Sequence, residues 1–131
     1  MYSYNHVMIK TFEEYQREAN FLKISLDKFL EKHPDTPPEV KELLAVTYDG
    51  LGLGEAGEVQ GKIKKIIRDN GGYISAENRI EIKKELGDIL WYIASMCDGL
   101  GIKMEDVAQG NIEKLKGRRD RGTLHGSGDN R

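Results

Sequence analysis

The chain reads as an all-α protein, a four-helix bundle. Three observations predict this. Apolar residues recur at helical spacing through most of the 131 residues. Capping signals stand where those runs begin. No segment alternates with the two-residue period of a half-buried strand. The three prolines, Pro34, Pro37 and Pro38, fall in a single segment and so punctuate the chain once.

The first helix starts at Thr11, where Thr-Phe-Glu-Glu fits the capping box of a threonine followed three residues later by a glutamate. Phe12, Tyr15, Ala19, Leu22, Leu26, Phe29 and Leu30 continue it, and the proline segment ends it. A second helix is expected over 39–68. On its surface Val40, Leu44, Leu51, Glu55, Glu58, Lys62 and Lys65 fall on one narrow stripe at about 100° per residue. Gly50, Gly54, Gly57 and Gly61 form a neighbouring stripe. Each glycine costs roughly 1 kcal/mol of helix stability relative to alanine, so close approach of another helix or a ligand is expected there. The alternative is a break or kink around residues 50–54.

A third helix follows the turn Asn70-Gly71-Gly72, with Ser75 as its N-cap. Ile82, Leu86, Ile89, Ile93, Met96 and Leu100 make its core stripe. Trp91 points the opposite way, which calls for a second packed surface, from another helix or another subunit. A fourth helix spans 104–116, with Val107, Ile112 and Leu115 as a sparse apolar set. A charged, glycine-rich tail closes the sequence. Only 38% of residues are hydrophobic, so the bundle is expected to complete its core by homo-oligomerisation.

Composition narrows the function classes. One domain over residues 1–131 is expected from the length. Twenty basic residues against 22 acidic ones give a net charge of −2, without the basic footprint of a nucleic-acid binder. A mean hydropathy of −0.59 and the lack of a long apolar run argue against a membrane span. The N-terminus has no secretory pattern. The single cysteine, Cys97, sits among apolar residues as a small buried hydrophobe. The cytoplasm is the expected compartment.

Chemistry concentrates in two carboxylate pairs, Glu55 with Glu58 and Glu85 with Asp88. Each has i,i+3 spacing, which puts both side chains on one helix face about a turn apart. Four converging acids repel one another unless cations neutralise them. Oxygen-only ligands suit Mg2+, or Mn2+ in its place, and these ions commonly bind substrate phosphates as well. Di-iron bundles need Glu-x-x-His pairs, and none of His6, His33 and His125 stands three residues after a glutamate. Zinc has no Cys/His cluster to hold it. Lys62 and Lys65 continue the acid stripe, while Asn111, Lys114, Arg118, Arg119 and Arg121 gather in the fourth helix and beyond. Such cations beside a carboxylate-held metal fit phosphoryl chemistry on a nucleotide.

Glu-x-x-Glu on one helix, a gap of 26 residues, then Glu-x-x-Asp on the next resembles the MazG-like nucleoside triphosphate pyrophosphohydrolases, within the all-α NTP pyrophosphohydrolase superfamily. The flanks GEAGEVQGKIKK and IKKELGDILWYIA agree with that family, as do NIEKL and the tail. The similarity runs over 12–131 and carries one motif set, like the small single-domain members. It implies Mg2+-dependent hydrolysis of a ribo- or deoxynucleoside triphosphate to monophosphate and pyrophosphate. It also implies that Glu55, Glu58, Glu85 and Asp88 are the metal-binding and catalytic acids; which of them acts as general base stays open, with Glu58 favoured as one of the central pair on the stripe. Lys62, Lys65, Asn111 and Lys114 would meet phosphate or sugar, and Tyr15, Gln16 or Asn20 would line the base pocket. The tail over residues 119–131 either is disordered or folds over the nucleotide, with Arg118, Arg121 or Arg131 on phosphate. Homodimers or homotetramers are implied too. Two rival readings are a catalytically weak helical dimer that keeps the site as a sensor or interaction module, and a plain bundle with solvated acids.

Overall fold

A computed structural model describes residues 8–21 and 27–128. Helices are the regular secondary structure of the described residues, with no strand among them. The helices are α1 (Phe12–Phe21), α2 (Asp27–Lys32), α3 (Pro38–Gly52), α4 (Ala56–Asn70), α5 (Ala76–Leu100) and α6 (Met104–Asp120). A short 3-10 turn, Leu53–Glu55, joins α3 to α4.

Local signals explain most of these bounds. Thr11 Oγ1 accepts from the Glu14 amide at 3.1 Å, and Glu14 Oε2 accepts from the Thr11 amide at 3.3 Å, so α1 opens on a complete capping box. Pro38 opens α3, where a missing N–H costs nothing. Ser75 caps α5 reciprocally with Asn78, each side chain accepting from the other's amide at 3.1 Å. Gly101, at φ 68°, ends α5 in a left-handed cap: its amide donates to Asp98 O and that of Ile102 to Cys97 O.

The continuous helix expected over 39–68 is instead two helices with a tight joint. Glycines at 50, 52 and 54 weaken the α-helix there, and the chain shortens its hydrogen bonds to the 3-10 pattern. This resets the phase upstream. Val40 and Leu51 are exposed, so they do not extend the acid stripe into a buried seam. Downstream, the inward face of α4 carries Glu55, Val59, Lys62 and Ile66, of which Ile66 is buried. Glu58 and Lys65 lie roughly 70–90° off the centre of that face and are exposed.

The glycine stripe also needs correction. A Cβ at Gly54, Gly57 or Gly61 would meet nothing within 4 Å, and one at Gly50 would make only ordinary contact with Met96. The close approach is at Gly52, against the ring of Tyr92.

α5 is the hub, touching α1, α3, α4, α6 and the 3-10 turn. Its buried residues are Ala94, Ser95 and Cys97; Leu86 and Leu100 of the expected core stripe are exposed. The hydrophobic core joins Ala19, Ala94, Cys97 and Met104, with Tyr15, Leu90, Trp91 and Ile93 packed round it. The second surface required by Trp91 is thus supplied within the chain, by α1 and the start of α6. Cys97 is buried as expected, and burial pushes its thiol up. Val107, Ile112 and Leu115 of α6 are exposed, while Met104 and Arg118 are its buried residues. The expected first helix over 11–30 shows as α1 and α2; Leu22 and Leu26 lie outside the described residues. No described helix is long and apolar enough to cross a membrane.

Candidate metal centre

Three of the four predicted acids converge. Glu55 stands at the last position of the 3-10 turn, and Glu85 and Asp88 stand one turn apart in the middle of α5. One carboxylate oxygen from each lies within 4.8 Å of the other two. Glu55 and Glu85 are half-buried and Asp88 is exposed, so the cluster opens to solvent on one side. An octahedral Mg2+ with bonds of about 2.1 Å sets neighbouring ligand oxygens roughly 3 Å apart and opposite ones roughly 4.2 Å apart. Small side-chain rotations would gather these three oxygens round one such ion. Carboxylates alone, with open positions for water, are the donor set that hard divalent cations prefer.

Glu58 is outside this trio, exposed one turn further along α4. Lys62 is in the site, but on an acid. Its Nζ lies 2.8 Å from Glu81 Oε2 and 3.2 Å from Glu85 Oε1. The bond to Glu81, then that to Glu85, raises its ammonium above the ordinary lysine value, and Lys62 holds Glu81 below the usual carboxylate range. Lys65, Asn70 and Asn78 join Lys62 and Glu81 in lining a groove of about 310 Å3 between α4 and the start of α5.

Two phenols flank the acids. Tyr92, one turn after Asp88, is raised from its ordinary value by burial first and then by the charges of Tyr48, Glu55, Asp88 and Asp49. Tyr15, on α1, is raised by burial and by Asp88. Both therefore stay protonated at neutral pH. Tyr15 also lines, with Ile9, Phe12, Leu90 and Glu105, a mainly apolar groove of about 410 Å3.

The remaining predicted residues lie elsewhere. Gln16 Nε2 donates to Ile102 O and its Oε1 accepts from the Met104 amide, both at 2.9 Å. Its amide thus clasps the α5–α6 turn and caps α6 from outside. Asn111 and Lys114 are exposed on α6. Arg118 is buried to 5% exposure, and its Nη2 donates to Gly128 O at 3.2 Å, so the described tail folds back on α6. Asp129, Asn130 and Arg131 lie outside the described residues.

Asp49 escaped the sequence reading. It is completely buried on α3, six residues before Glu55, and is among the charges acting on Tyr92. The available signal was a lone acid between the mainly apolar run Leu43–Tyr48 and Leu51.

The MazG nucleotide pyrophosphohydrolase domain matches residues 48–123, a span that holds all three converging acids. The chain belongs to the MazG nucleotide pyrophosphohydrolase family. A relative, the Gene 37 protein of Mycobacterium phage L5, is 48% identical over 87 residues, covering 66% of this chain and 76% of that protein. No solved structure matches the chain. The MazG domain begins at Tyr48, just before Asp49 and Gly52, and takes in the joint, the trio and α6.

Proposed function

We propose that this MazG-family chain hydrolyses nucleoside triphosphates to monophosphate and pyrophosphate, with Mg2+ held by Glu55, Glu85 and Asp88. The observation that carries the reading is the meeting of these three carboxylates where the 3-10 turn crosses α5. A divalent ion there would polarise phosphate oxygens and favour ionisation of a nearby water.

The chain's own groups supply the rest. Water attacks the α-phosphorus, the bond from that phosphorus to the bridging oxygen breaks, and pyrophosphate leaves. Glu58, exposed beside the trio and outside it, takes the water's proton. Tyr92 and Tyr15 stay neutral, so they add no negative charge facing the phosphates. The apolar groove of Phe12, Tyr15 and Leu90 fits a planar base. Lys65, Asn111, Lys114 and Arg118 are the polar groups proposed for phosphate and sugar, the last together with the tail from residue 119 to 128 as a lid.

Homo-oligomerisation belongs to the same proposal. Among the described residues few hydrophobic side chains are buried, while Leu43, Leu51, Ile67 and Leu86 are more than half exposed. A second copy would cover such surface and complete a bundle. We place the enzyme in the cytoplasm, with residues 1–131 belonging to one domain.

The test is pyrophosphate release from a panel of ribo- and deoxynucleoside triphosphates with Mg2+, beside Glu58→Gln. Monophosphate and pyrophosphate in equal amounts, lost in the variant, are expected. Release of inorganic phosphate instead would sink the reading.

A further inference from the structure

Among the described residues, Glu85 is the acid of the trio that already has an ion pair. Lys62 reaches it from α4 at 3.2 Å while making a shorter bond, 2.8 Å, to Glu81. Glu81 and Glu85 are one turn apart on α5, and the ammonium sits between them. Lys62 itself follows Glu55 by two turns on the inward face of α4, so the helix pairing that builds the trio also delivers a cation to its edge. The side chain of Glu85 is 17% exposed, that of Lys62 30% and that of Glu81 49%, so the contact with Glu85 is the drier of the two.

We infer that Lys62 is a built-in counter-cation of the trio, and that Glu81 is its holding partner, the pair together setting how tightly the free protein takes a divalent ion. The inference rests on the trio being a metal site. An ammonium beside Glu85 repels an incoming divalent ion and competes for the same carboxylate. Glu81, an acid outside the trio, draws that charge one turn away. An aiming role for Lys62, orienting Glu85 for the metal, would give the opposite sign. Coulomb repulsion between a doubly charged ion and an ammonium a few ångströms away outweighs what one part-exposed hydrogen bond contributes to aiming a carboxylate.

The experiment is Mn2+ binding to the full chain without nucleotide, followed by electron paramagnetic resonance and calorimetry. Circular dichroism would confirm that each variant is folded. Lys62→Met is expected to tighten Mn2+ binding by about five- to ten-fold, and Lys62→Gln similarly. Lys65→Met, the same charge change on the exposed neighbouring turn, should shift it by less than about two-fold. Glu81→Gln should weaken binding about three-fold in the wild-type chain and far less in the Lys62→Met background, because its effect acts through the lysine. Weaker or unchanged binding in both Lys62 variants overturns the inference, as does an equal effect of Glu81→Gln in both backgrounds. No Mn2+ binding by the wild-type chain would overturn the metal-site reading itself, a separate outcome.

Discussion

The ring of Tyr92 lies against the bare α-carbon of Gly52. A Cβ at that position would fall 2.6 Å from the ring's Cζ and closer still to its edge. Gly52 ends α3, three residues before Glu55, and Tyr92 follows Asp88 by one turn. The contact therefore ties the joint that presents one acid to the helix that presents the other two. Gly52→Ala should gain up to about 1 kcal/mol of helix propensity. Overpacking against the ring costs roughly 1–3 kcal/mol. A net loss is expected, read as a lower Tm and weaker metal binding. Tyr92→Ala should cost less in the Gly52→Ala chain than in the wild type, which a double-mutant cycle would measure.

Glu55 and Glu58 should separate in function. Glu55→Gln, Glu85→Gln and Asp88→Asn remove donors of the trio and should each weaken Mn2+ binding by at least about ten-fold, with turnover falling too. Glu58→Gln should leave Mn2+ affinity within about two-fold while kcat falls about 100-fold, the size of a lost general base. Equal loss of metal from Glu55→Gln and Glu58→Gln would place Glu58 among the ligands instead.

Gln16→Ala should act on stability before it acts on catalysis. It removes an acceptor from the Met104 amide and a donor from the Ile102 carbonyl. A lost helix cap costs about 0.5–2 kcal/mol. A fall in Tm with KM unchanged is the expected result; a raised KM at unchanged Tm would give the residue to the substrate.

The link between Lys62 and Glu81 has a defined pH window. Glu81 is held below its ordinary value of 4.5, so its contribution is present above that value and fades as pH falls through the folded-state value. Lys62 is raised above 10.5, so its contribution is present below that value and is lost as pH rises through the folded-state value. The Tm difference between wild type and Glu81→Gln should be flat from about pH 6 to 9 and shrink outside that range. Tyr15 and Tyr92 add a further loss as pH rises above 10.0, because the folded chain resists their ionisation.

Truncation after Arg121 removes the carbonyl at Gly128 that receives the Arg118 guanidinium. If the tail is a lid, KM for nucleotide should rise several-fold. Unchanged kcat and KM would leave it a stabilising strap, measurable as a lower Tm alone.

What could be read from the sequence was local. The box at Thr11 and the acid pairs involve residues three apart, and the N-cap at Ser75 follows directly on a glycine turn, so spacing and residue type revealed them; the return bond from Ser75 to Asn78 came only with the structure. A break near residues 50–54 was an open alternative because several glycines crowd there. Which glycine mattered was illegible, since the answer depends on Tyr92, forty residues away. Separation along the chain likewise hid which elements cover Trp91, and the clasp by Gln16, whose partners are 86 and 88 residues along the chain. Asp49 was passed over because a buried acid cannot be told from an exposed one without its neighbours.

The 3-10 joint has a consequence for how this gene can vary. One residue inserted or deleted between 52 and 55 would swing every later α4 side chain by about 100° round the axis. Glu55 would leave Glu85 and Asp88, and Ile66 would leave its buried seat in the same stroke. The turn at 71–75, whose residues are mostly exposed, faces no such penalty. Length polymorphism among relatives should therefore accumulate in that second turn and be purged from the first, although both are short connections between the same kinds of helix.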